Sequence, residues 1–186
     1  MLKKTLSTST PTTRLAGFTL MELLICVGIL SISLLMSIPS MRNFLLNQHL
    51  RSEHSRLTMD LLYARSMAVN QGQRVVICPS SNATECLTDP LWESGWMVFI
   101  DENNNRQYEA QEIRLRIAPT IKELSVRSQL RQQIRFFPDG SATGSAATIT
   151  LCGPRGAQFA RATVISNSGR IRQIRASTSN NQLNCP

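Results

Sequence analysis

A long apolar run over residues 18–38 dominates the hydrophobic pattern, and Glu22 is its only charged residue. Roughly 20 apolar residues are the length that a helix needs to cross a bilayer. Lys3, Lys4 and Arg14 precede the run, and a basic flank of this kind stays on the cytoplasmic side of the membrane. We therefore expect a single transmembrane helix over 18–38, with the C-terminal domain extracytoplasmic.

The pattern then takes the period of a helix with one buried face. Apolar residues recur at spacings of three, four or seven: Leu46, Leu50, Leu57, Leu61, Ala64 and Ala68. We predict one helix from about Phe18 to Asn70, in which residues 39–70 form the amphipathic continuation. His49 and His54 lie on this helix, and we expect both to be exposed rather than to bind a ligand.

After Gly72 the period shortens to that of strands. We predict strands at 74–78, 95–100, 113–117, 124–126, 134–137, 147–152, 162–166 and 170–176. Residues 113–117 alternate strictly, which predicts a half-buried strand, and Asp139-Gly140 and Ser168-Gly169 are turn signals. The predicted fold class is α+β, with the long N-terminal helix packed on an antiparallel sheet domain over residues 71–186. Because aromatic residues make up 5% of the sequence, we expect an aliphatic core.

The net charge of +8 is concentrated near the C-terminus. Residues 121–186 contain nine Lys and Arg against two Asp and Glu, a net of +7. A basic half of this kind suggests a polyanionic partner or an anionic surface, and the alternative is a solvated basic face.

Five cysteines are present, of which Cys26 lies in the apolar run. The other four would lie outside the cytoplasm, where disulfides form, and four cysteines allow three pairings. We favour Cys78–Cys86, which closes a short loop, and Cys152–Cys185, which holds the C-terminal tail. A zinc site is the rival, but no C-x-x-C motif occurs and both histidines precede the cysteines.

One loop matches the spacing of a calcium loop. Its residues at positions 1, 3, 5, 9 and 12 are Asp101, Asn103, Asn105, Glu109 and Glu112. Position 6 of such loops is Gly, but here it is the cation Arg106, and the loop joins strands rather than helices. These departures favour a polar hairpin turn, so we expect no bound metal. No catalytic motif occurs, so we expect neither enzymatic activity nor a cofactor.

The acid in the apolar run has three explanations. A secretory signal would place small residues after its apolar core, whereas Gly17 precedes it. A simple membrane anchor leaves Glu22 unexplained, because an acid in a membrane is costly. Cleavage between Gly17 and Phe18 would give Phe18 a free amine. Glu22, one turn later on the same face, could then pair with the amine of a neighbouring subunit.

The stretch from Gly17 to Leu24, G-F-T-L-M-E-L-L, resembles the class III signal of type IV pilins and type II secretion pseudopilins. The resemblance implies a prepilin leader over 1–17, cleavage by prepilin peptidase between Gly17 and Phe18, and N-methylation of Phe18. It also implies a role for Glu22 in assembly with other major and minor pilins or pseudopilins. Pro39 is similar to the helix-kinking proline of the family, whereas the leader is longer than usual. The expected location is the inner membrane and, after assembly, a pilus on the cell surface.

The order of elements resembles the FimT/FimU–GspH branch of this family over nearly the whole chain. The segment from Gly95 to Asn105, which reads G-W-x-V-F-x-D-x-N-x-N, is similar to a stretch typical of that branch.

The last predicted strand carries several arginines. Arg170 and Arg172 alternate with Ile171, so they would share one face while Ile171 points into the core. Guanidinium groups bind phosphate oxygens and thereby hold a nucleic-acid backbone without reading its sequence. The alternative is a basic edge strand whose charges prevent edge pairing.

Gly169, Arg170 and Arg172 resemble the Gly-Arg-x-Arg motif of FimT-type minor pilins, which bind DNA during natural transformation. We therefore predict non-specific binding of double-stranded DNA by these three residues, supported by Arg175, Arg155 and Arg161. The alternative is a purely structural minor pilin or a GspH-like type II secretion pseudopilin that primes assembly.

Overall fold

The structure is a computed structural model, and it describes residues 17–129, 132–176, 183 and 185, with the side chains of 35–40 outside that description. The chain divides into two compact units, residues 1–42 and 43–186. A single helix, α1 (Leu20–Gln71, 52 residues), contributes to both units. Residues 1–16 of the predicted leader, which spans 1–17, lie outside the described part.

The helix begins with a side-chain cap. The backbone N–H of Glu22 donates a hydrogen bond to Thr19 Oγ1 at 3.2 Å, and Glu22 is the acidic residue of the first turn. A hydroxyl at this position satisfies one of the free N–H groups of the first turn, and a carboxylate there favours the helix dipole. The start of α1 is therefore fixed by Thr19 and Glu22 together.

Large apolar side chains on the helical part of the first unit are exposed. Phe18, just before the helix, is 81% exposed, and Leu34 is 64% exposed. Among the residues that the structure describes, no helix contains an apolar stretch long enough to span a membrane. Residues 35–38 of the predicted transmembrane segment are among those whose side chains lie outside the description, and that segment stays a prediction.

The second unit contains the strands. The described residues form β1 (Val75–Pro79), β2 (Trp96–Ile100), β3 (Arg114–Ala118), β4 (Ser125–Ser128), β5 (Ile134–Phe136), β6 (Ala147–Cys152), β7 (Arg161–Ile165) and β8 (Ile171–Arg175). Two short 3₁₀ helices, Trp92–Ser94 and Ala157–Phe159, lie in the connections.

These strands form two antiparallel sheets. Sheet A has the order β3-β2-β1-β5, and sheet B has the order β4-β6-β7-β8. The α+β fold class is confirmed. The strand pattern alone did not distinguish one sheet from two, because period and length report a strand without its pairing partner.

One hydrophobic core lies between α1 and both sheets. The helix contributes the predicted apolar stripe, in which Leu57, Leu61, Ala64 and Ala68 are fully buried. Sheet A contributes residues such as Val98 and sheet B residues such as Ile149. The opposite face of sheet A is also covered, because Val76, Cys78, Met97 and Phe99 form a second buried cluster against Cys86 and Tyr108.

The buried core is mostly Leu, Ile, Val and Ala, as expected, but its largest fully buried side chains are aromatic, namely Trp92, Trp96, Phe99 and Phe136. Trp96 is accommodated by a polar partner on α1. Its Nε1–H donates to Asp60 Oδ2 at 2.8 Å, while Arg116 donates to Asp60 Oδ1 at 2.7 Å. This satisfied carboxylate joins the helix to sheet A and fixes the Trp96 ring.

Strand β3 is not simply half-buried as its alternation predicts. Ile113 and Ile117 are more than half exposed, whereas Arg116 reaches Asp60 of α1. The register shifts between β2 and β3, where Val98 pairs with Arg116 and Phe99 with Arg114. This β-bulge places Leu115 and Arg116 on the core side together, and a bulge breaks the alternation that sequence reasoning relies on.

Both favoured disulfide pairings occur in the structure. Cys78 is bonded to Cys86 with a Cα–Cα distance of 5.6 Å, and Cys152 to Cys185 with 5.8 Å. The first bond holds the β1–β2 connection over the second buried cluster. The second encloses β7 and β8 within one covalent loop.

Candidate nucleic-acid interface

Strands β7 and β8 form a hairpin whose turn contains the predicted motif. Ile165 pairs with Ile171, and Val164 pairs with Arg172. The turn itself, residues 166–170, is closed by hydrogen bonds from Ser166 N to Arg170 O at 3.0 Å and from Gly169 N to Ser166 O at 2.9 Å. The Ser166 hydroxyl also accepts a hydrogen bond from Arg170 N at 3.2 Å. The backbone on both sides of Arg170 is therefore fixed.

Gly169 has a steric role that the motif alone does not reveal. Its φ is 73°, a left-handed conformation that favours glycine, and a Cβ atom there would collide with the carbonyl oxygen of Gly140. Gly140 belongs to the β5–β6 turn, and its carbonyl accepts a hydrogen bond from Arg65 Nε of α1 at 2.9 Å. The Ser168-Gly169 signal predicted a turn, but the close approach to Gly140 requires the tertiary structure.

A second set of contacts joins the same two turns. The backbone N–H of Ala142 donates to Asn167 O at 2.9 Å, and that of Gly144 donates to Asn167 Oδ1 at 3.2 Å. The turn that carries the motif is thus fixed to its neighbouring turn at both Asn167 and Gly169.

Arg170 and Arg172 form an exposed pair, here called the arginine pair. Both side chains are exposed, and alternate residues of a strand share a face. Ile171 between them is packed against the core as predicted, so the pair lies on the face of sheet B away from α1. Within the described part of the chain, neither guanidinium forms an ion pair with an acid. Their donors are available to a partner from solution.

Arg161 and Arg175 lie on the other face of sheet B. They oppose each other in the ladder, two positions from Thr163. The hydroxyl of Thr163 is 3.0 Å from that of Thr58 on α1, so this face looks onto the helix. With Arg51 of α1 they form what we call the helix-side cluster. Partial burial, and then the charges of Arg175 and Arg51, lower the pKa of Arg161, although an arginine of this kind stays protonated.

His54 lies beneath the helix-side cluster. The expectation that it is exposed is wrong, since it is 1% exposed. Burial lowers the pKa of His54, the charges of Arg161 and Arg175 lower it further, and a backbone hydrogen bond with Ala162 opposes them. His54 is therefore neutral at neutral pH. His49 is half-buried, with Nε2 3.1 Å from the Lys122 carbonyl oxygen.

Arg155 stacks on an aromatic ring at the end of sheet B. Its guanidinium carbon lies 3.7 Å from the centroid of the Phe159 ring. A small cavity of about 130 Å³ adjoins this stack and is lined by Gln158, Phe159, Ala160, Arg161, Arg175 and Ala176. This end of β7 lies roughly 15 Å along the strand from the turn at Gly169. No motif or periodicity in the sequence marks Phe159 as a functional residue.

The six predicted DNA-binding residues therefore occupy two places. Gly169 and the arginine pair lie at the β7–β8 turn on the outer face. Arg155, Arg161 and Arg175 lie at the opposite end of the hairpin, and the latter two face the helix. The motif is brought together, and its predicted support is separate from it. The polar segment 177–182, which follows β8, lies outside the described residues.

The Asp101–Glu112 loop between β2 and β3 contains the acids Asp101, Glu102, Glu109 and Glu112. Among the described residues, no three His, Cys, Asp or Glu side chains are grouped so that they could hold a metal ion. Asp101 and Glu112 are nevertheless both buried, at 1% and 5% exposed.

Comparison with known proteins gives one matching family and several solved structures that are similar. The family model described as type II transport protein GspH matches residues 53–169. No curated protein sequence matches significantly. The crystal structure of the Pseudomonas aeruginosa type IV minor pilin FimU is similar, with a TM-score of 0.57 and 22% identity over 69% of this chain and 90% of that chain.

Two further solved structures are similar. A second crystal form of FimU gives a TM-score of 0.56 and 23% identity, covering 68% of this chain and 94% of that chain. The solution structure of E. coli GspH gives 0.48 and 19%, covering 73% and 94%. At these identities the FimU likeness supports the fold.

Proposed function

Because the chain belongs to the family of type II transport protein GspH, we propose that it is a minor subunit of a type IV pilus that binds extracellular DNA for uptake in natural transformation. Membership makes it a pilin-like protein of the minor pilin and pseudopilin kind. It also implies association with other pilins or pseudopilins in a filament. DNA binding goes beyond what family membership implies.

The observation that carries the proposal is the geometry of the arginine pair. Two guanidinium groups project from one face of a hairpin whose turn is fixed to a second turn through Gly169 and Asn167. No acid among the described residues neutralises them. A binding group held in place before contact loses less conformational entropy on binding.

The chemistry of such a pair suits the phosphate backbone. A guanidinium forms charge-assisted and often bidentate hydrogen bonds with phosphate oxygens. Contacts of this kind carry no sequence information, so binding is non-specific. No described aromatic ring stacks on the arginine pair, which supports backbone contact rather than base stacking.

The N-terminus supplies the assembly part of the proposal. Prepilin peptidase cleaves between Gly17 and Phe18, and the subunit is held in the inner membrane by residues 18–38 until it enters the filament. Glu22 then pairs with the amine of Phe18 of a neighbouring subunit. This pairing removes the cost of an isolated carboxylate in an apolar setting.

The test is the salt dependence of duplex binding by residues 43–186, the unit that contains the whole core. The log–log slope against salt is near −0.9 per phosphate contact, so replacing both Arg170 and Arg172 with Gln should reduce it by about two units. The Arg161→Gln, Arg175→Gln variant removes the same charge from the helix-side cluster and should change the slope less.

Two outcomes count against the proposal. If the Arg170→Gln, Arg172→Gln variant is folded and keeps an unchanged slope, the arginine pair does not contact DNA. If the unsubstituted unit does not bind duplex even at low salt, the second candidate function holds, namely a structural minor pilin or type II secretion pseudopilin. The matched family model, named for type II transport, favours that candidate.

A further inference from the structure

Asp101 is a buried acid whose carboxylate oxygens accept no hydrogen bond from any described residue. It follows β2 directly and is 1% exposed. An ionised carboxylate is costly to bury in this state, and such a group calls for an ion or water that completes it. The charge of Asp101 acts on Arg135, but neither Arg135 nor Arg74 forms an ion pair with it, and both guanidinium groups lie over the Phe137 ring.

A second buried acid lies close to Asp101. Glu112 is 5% exposed, and its two carboxylate oxygens accept hydrogen bonds from Glu102 N at 3.1 Å and Glu109 N at 3.0 Å. Burial raises the pKa of Glu112, the two hydrogen bonds lower it, and the charges of Asp101 and Glu109 raise it further. Two like charges in one buried place are stabilised by a cation between them.

The backbone between these acids has the shape that a calcium loop requires. Arg106, at position 6, has φ 63°, the left-handed conformation for which calcium loops use Gly. Asn103 Oδ1 accepts from Asn105 N at 3.0 Å, and Asn105 Oδ1 accepts from Gln107 N at 2.7 Å. The departure at position 6 therefore concerns the residue type and not the backbone.

We propose that the Asp101–Glu112 loop binds a calcium ion. Its ligands are the carboxylates of Asp101 and Glu112, the side-chain oxygens of Asn103 and Asn105, and the carbonyl oxygen of Gln107. This set has two acids and three neutral oxygens, which suits Ca²⁺, and it differs from an all-acid cluster, of which the described residues contain none. With few charged ligands, the affinity should resemble that of extracellular calcium modules, with Kd roughly 10⁻⁴–10⁻³ M.

Calcium at this loop would also order the outer face of sheet A. Tyr108 lies within the loop and packs edge-on against Phe99, with ring centroids 5.5 Å apart. A cation that fixes both ends of the loop at Asp101 and Glu112 also fixes this ring over the second buried cluster.

The experiment measures thermal unfolding of the full chain in non-ionic detergent micelles, with CaCl₂ or MgCl₂ at equal ionic strength after removal of metals by a chelator. At a calcium concentration about ten times Kd, binding should raise the unfolding temperature by roughly 4 °C. Mg²⁺ should act less, because it demands octahedral geometry and keeps its waters. No rise with CaCl₂ at about 10 mM, well above the expected Kd, overturns the proposal.

Three variants make the assignment specific. Asp101→Asn should abolish the calcium-dependent rise while leaving the metal-free protein at least as stable, because it removes a buried unpaired charge. Glu102→Gln, an exposed acid one position along that the site does not use, should keep the rise. Arg106→Gly should enlarge the rise at a fixed subsaturating calcium concentration, because it removes a cation beside the site. An equal rise in wild type and Asp101→Asn overturns the assignment of the ligands.

Discussion

Replacing Gly169 with Ala should destabilise the second unit far more than the same change at Gly144. Both glycines have φ 73°, so each alanine incurs the left-handed penalty, about 1–2 kcal/mol before a small gain from the stiffer unfolded chain. A Cβ at 144 has nothing within 4 Å, whereas a Cβ at 169 collides with the Gly140 carbonyl oxygen. Gly144 is therefore a matched control, because it has the same backbone conformation as Gly169 but a Cβ there would meet no other atom.

The additional cost at position 169 follows from what must move. The obstacle is backbone, so the β7–β8 and β5–β6 turns have to separate. That separation stretches the hydrogen bonds from Ala142 N to Asn167 O and from Gly144 N to Asn167 Oδ1, each worth about 1 kcal/mol. We expect a loss of about 1 kcal/mol for Gly144→Ala and about 3 kcal/mol for Gly169→Ala.

Urea unfolding followed by circular dichroism measures both free energies under the same conditions. Equal losses in the two variants would show that the turns are not in contact and would refute the steric argument. A Gly169→Ala variant that unfolds at a lower urea concentration, with an unchanged m-value, supports it.

Three further predictions concern other parts of the chain. The intact mass of the membrane form should show cleavage between Gly17 and Phe18 plus one methyl group, and an uncleaved mass contradicts this. The Glu22→Ala variant should stay in the membrane yet enter filaments poorly, and normal incorporation contradicts the pairing of Glu22. Breaking Cys152–Cys185, 33 residues apart, should cost about 4 kcal/mol and Cys78–Cys86, eight apart, about 2.5 kcal/mol, measured by unfolding of Cys→Ser variants. The pKa of His54 should lie below the usual 6.5 in an NMR titration. The unfolded chain then binds the proton more tightly than the folded chain does. The contribution of neutral His54 to the free energy of unfolding is therefore complete above about pH 6.5 and falls as the pH drops towards the folded-state pKa. The His54→Gln variant should lack this pH dependence.

Local pattern predicted the elements of this fold well, and it failed where residues distant in sequence meet. The helix and β6 have strong periodicity, and each predicted strand finds a counterpart within a few residues. The burial of His54 could not be predicted, because the face that carries it is covered by β7, more than a hundred positions later. The bulge at Leu115 likewise depends on how β3 pairs with β2.

At the candidate interface, too, local pattern predicted some features and long-range contacts decided the others. The alternation of Arg170, Ile171 and Arg172 was sufficient to predict which side chains share a face. The same alternation places Arg175 on the opposite face, whereas the position of Arg161 depends on the antiparallel register with β7, which pairs it with Arg175. Phe159 carried no signal, because a lone aromatic in a polar connection has no periodicity.

The order of strands in the two sheets has a consequence for how the chain folds. Strands β6, β7 and β8 follow one another along the chain and pair through the short connections 153–160 and 166–170, whereas β1 must find β5 across residues 80–133. Closing a short loop costs less entropy than closing a long one, and local pairings form faster. The β6–β7–β8 hairpins should therefore become protected in pulsed hydrogen exchange before β1 and β5 do. The chain would then bring Cys152 towards the end of β8 early, so that the bond to Cys185 forms on a sheet already in register.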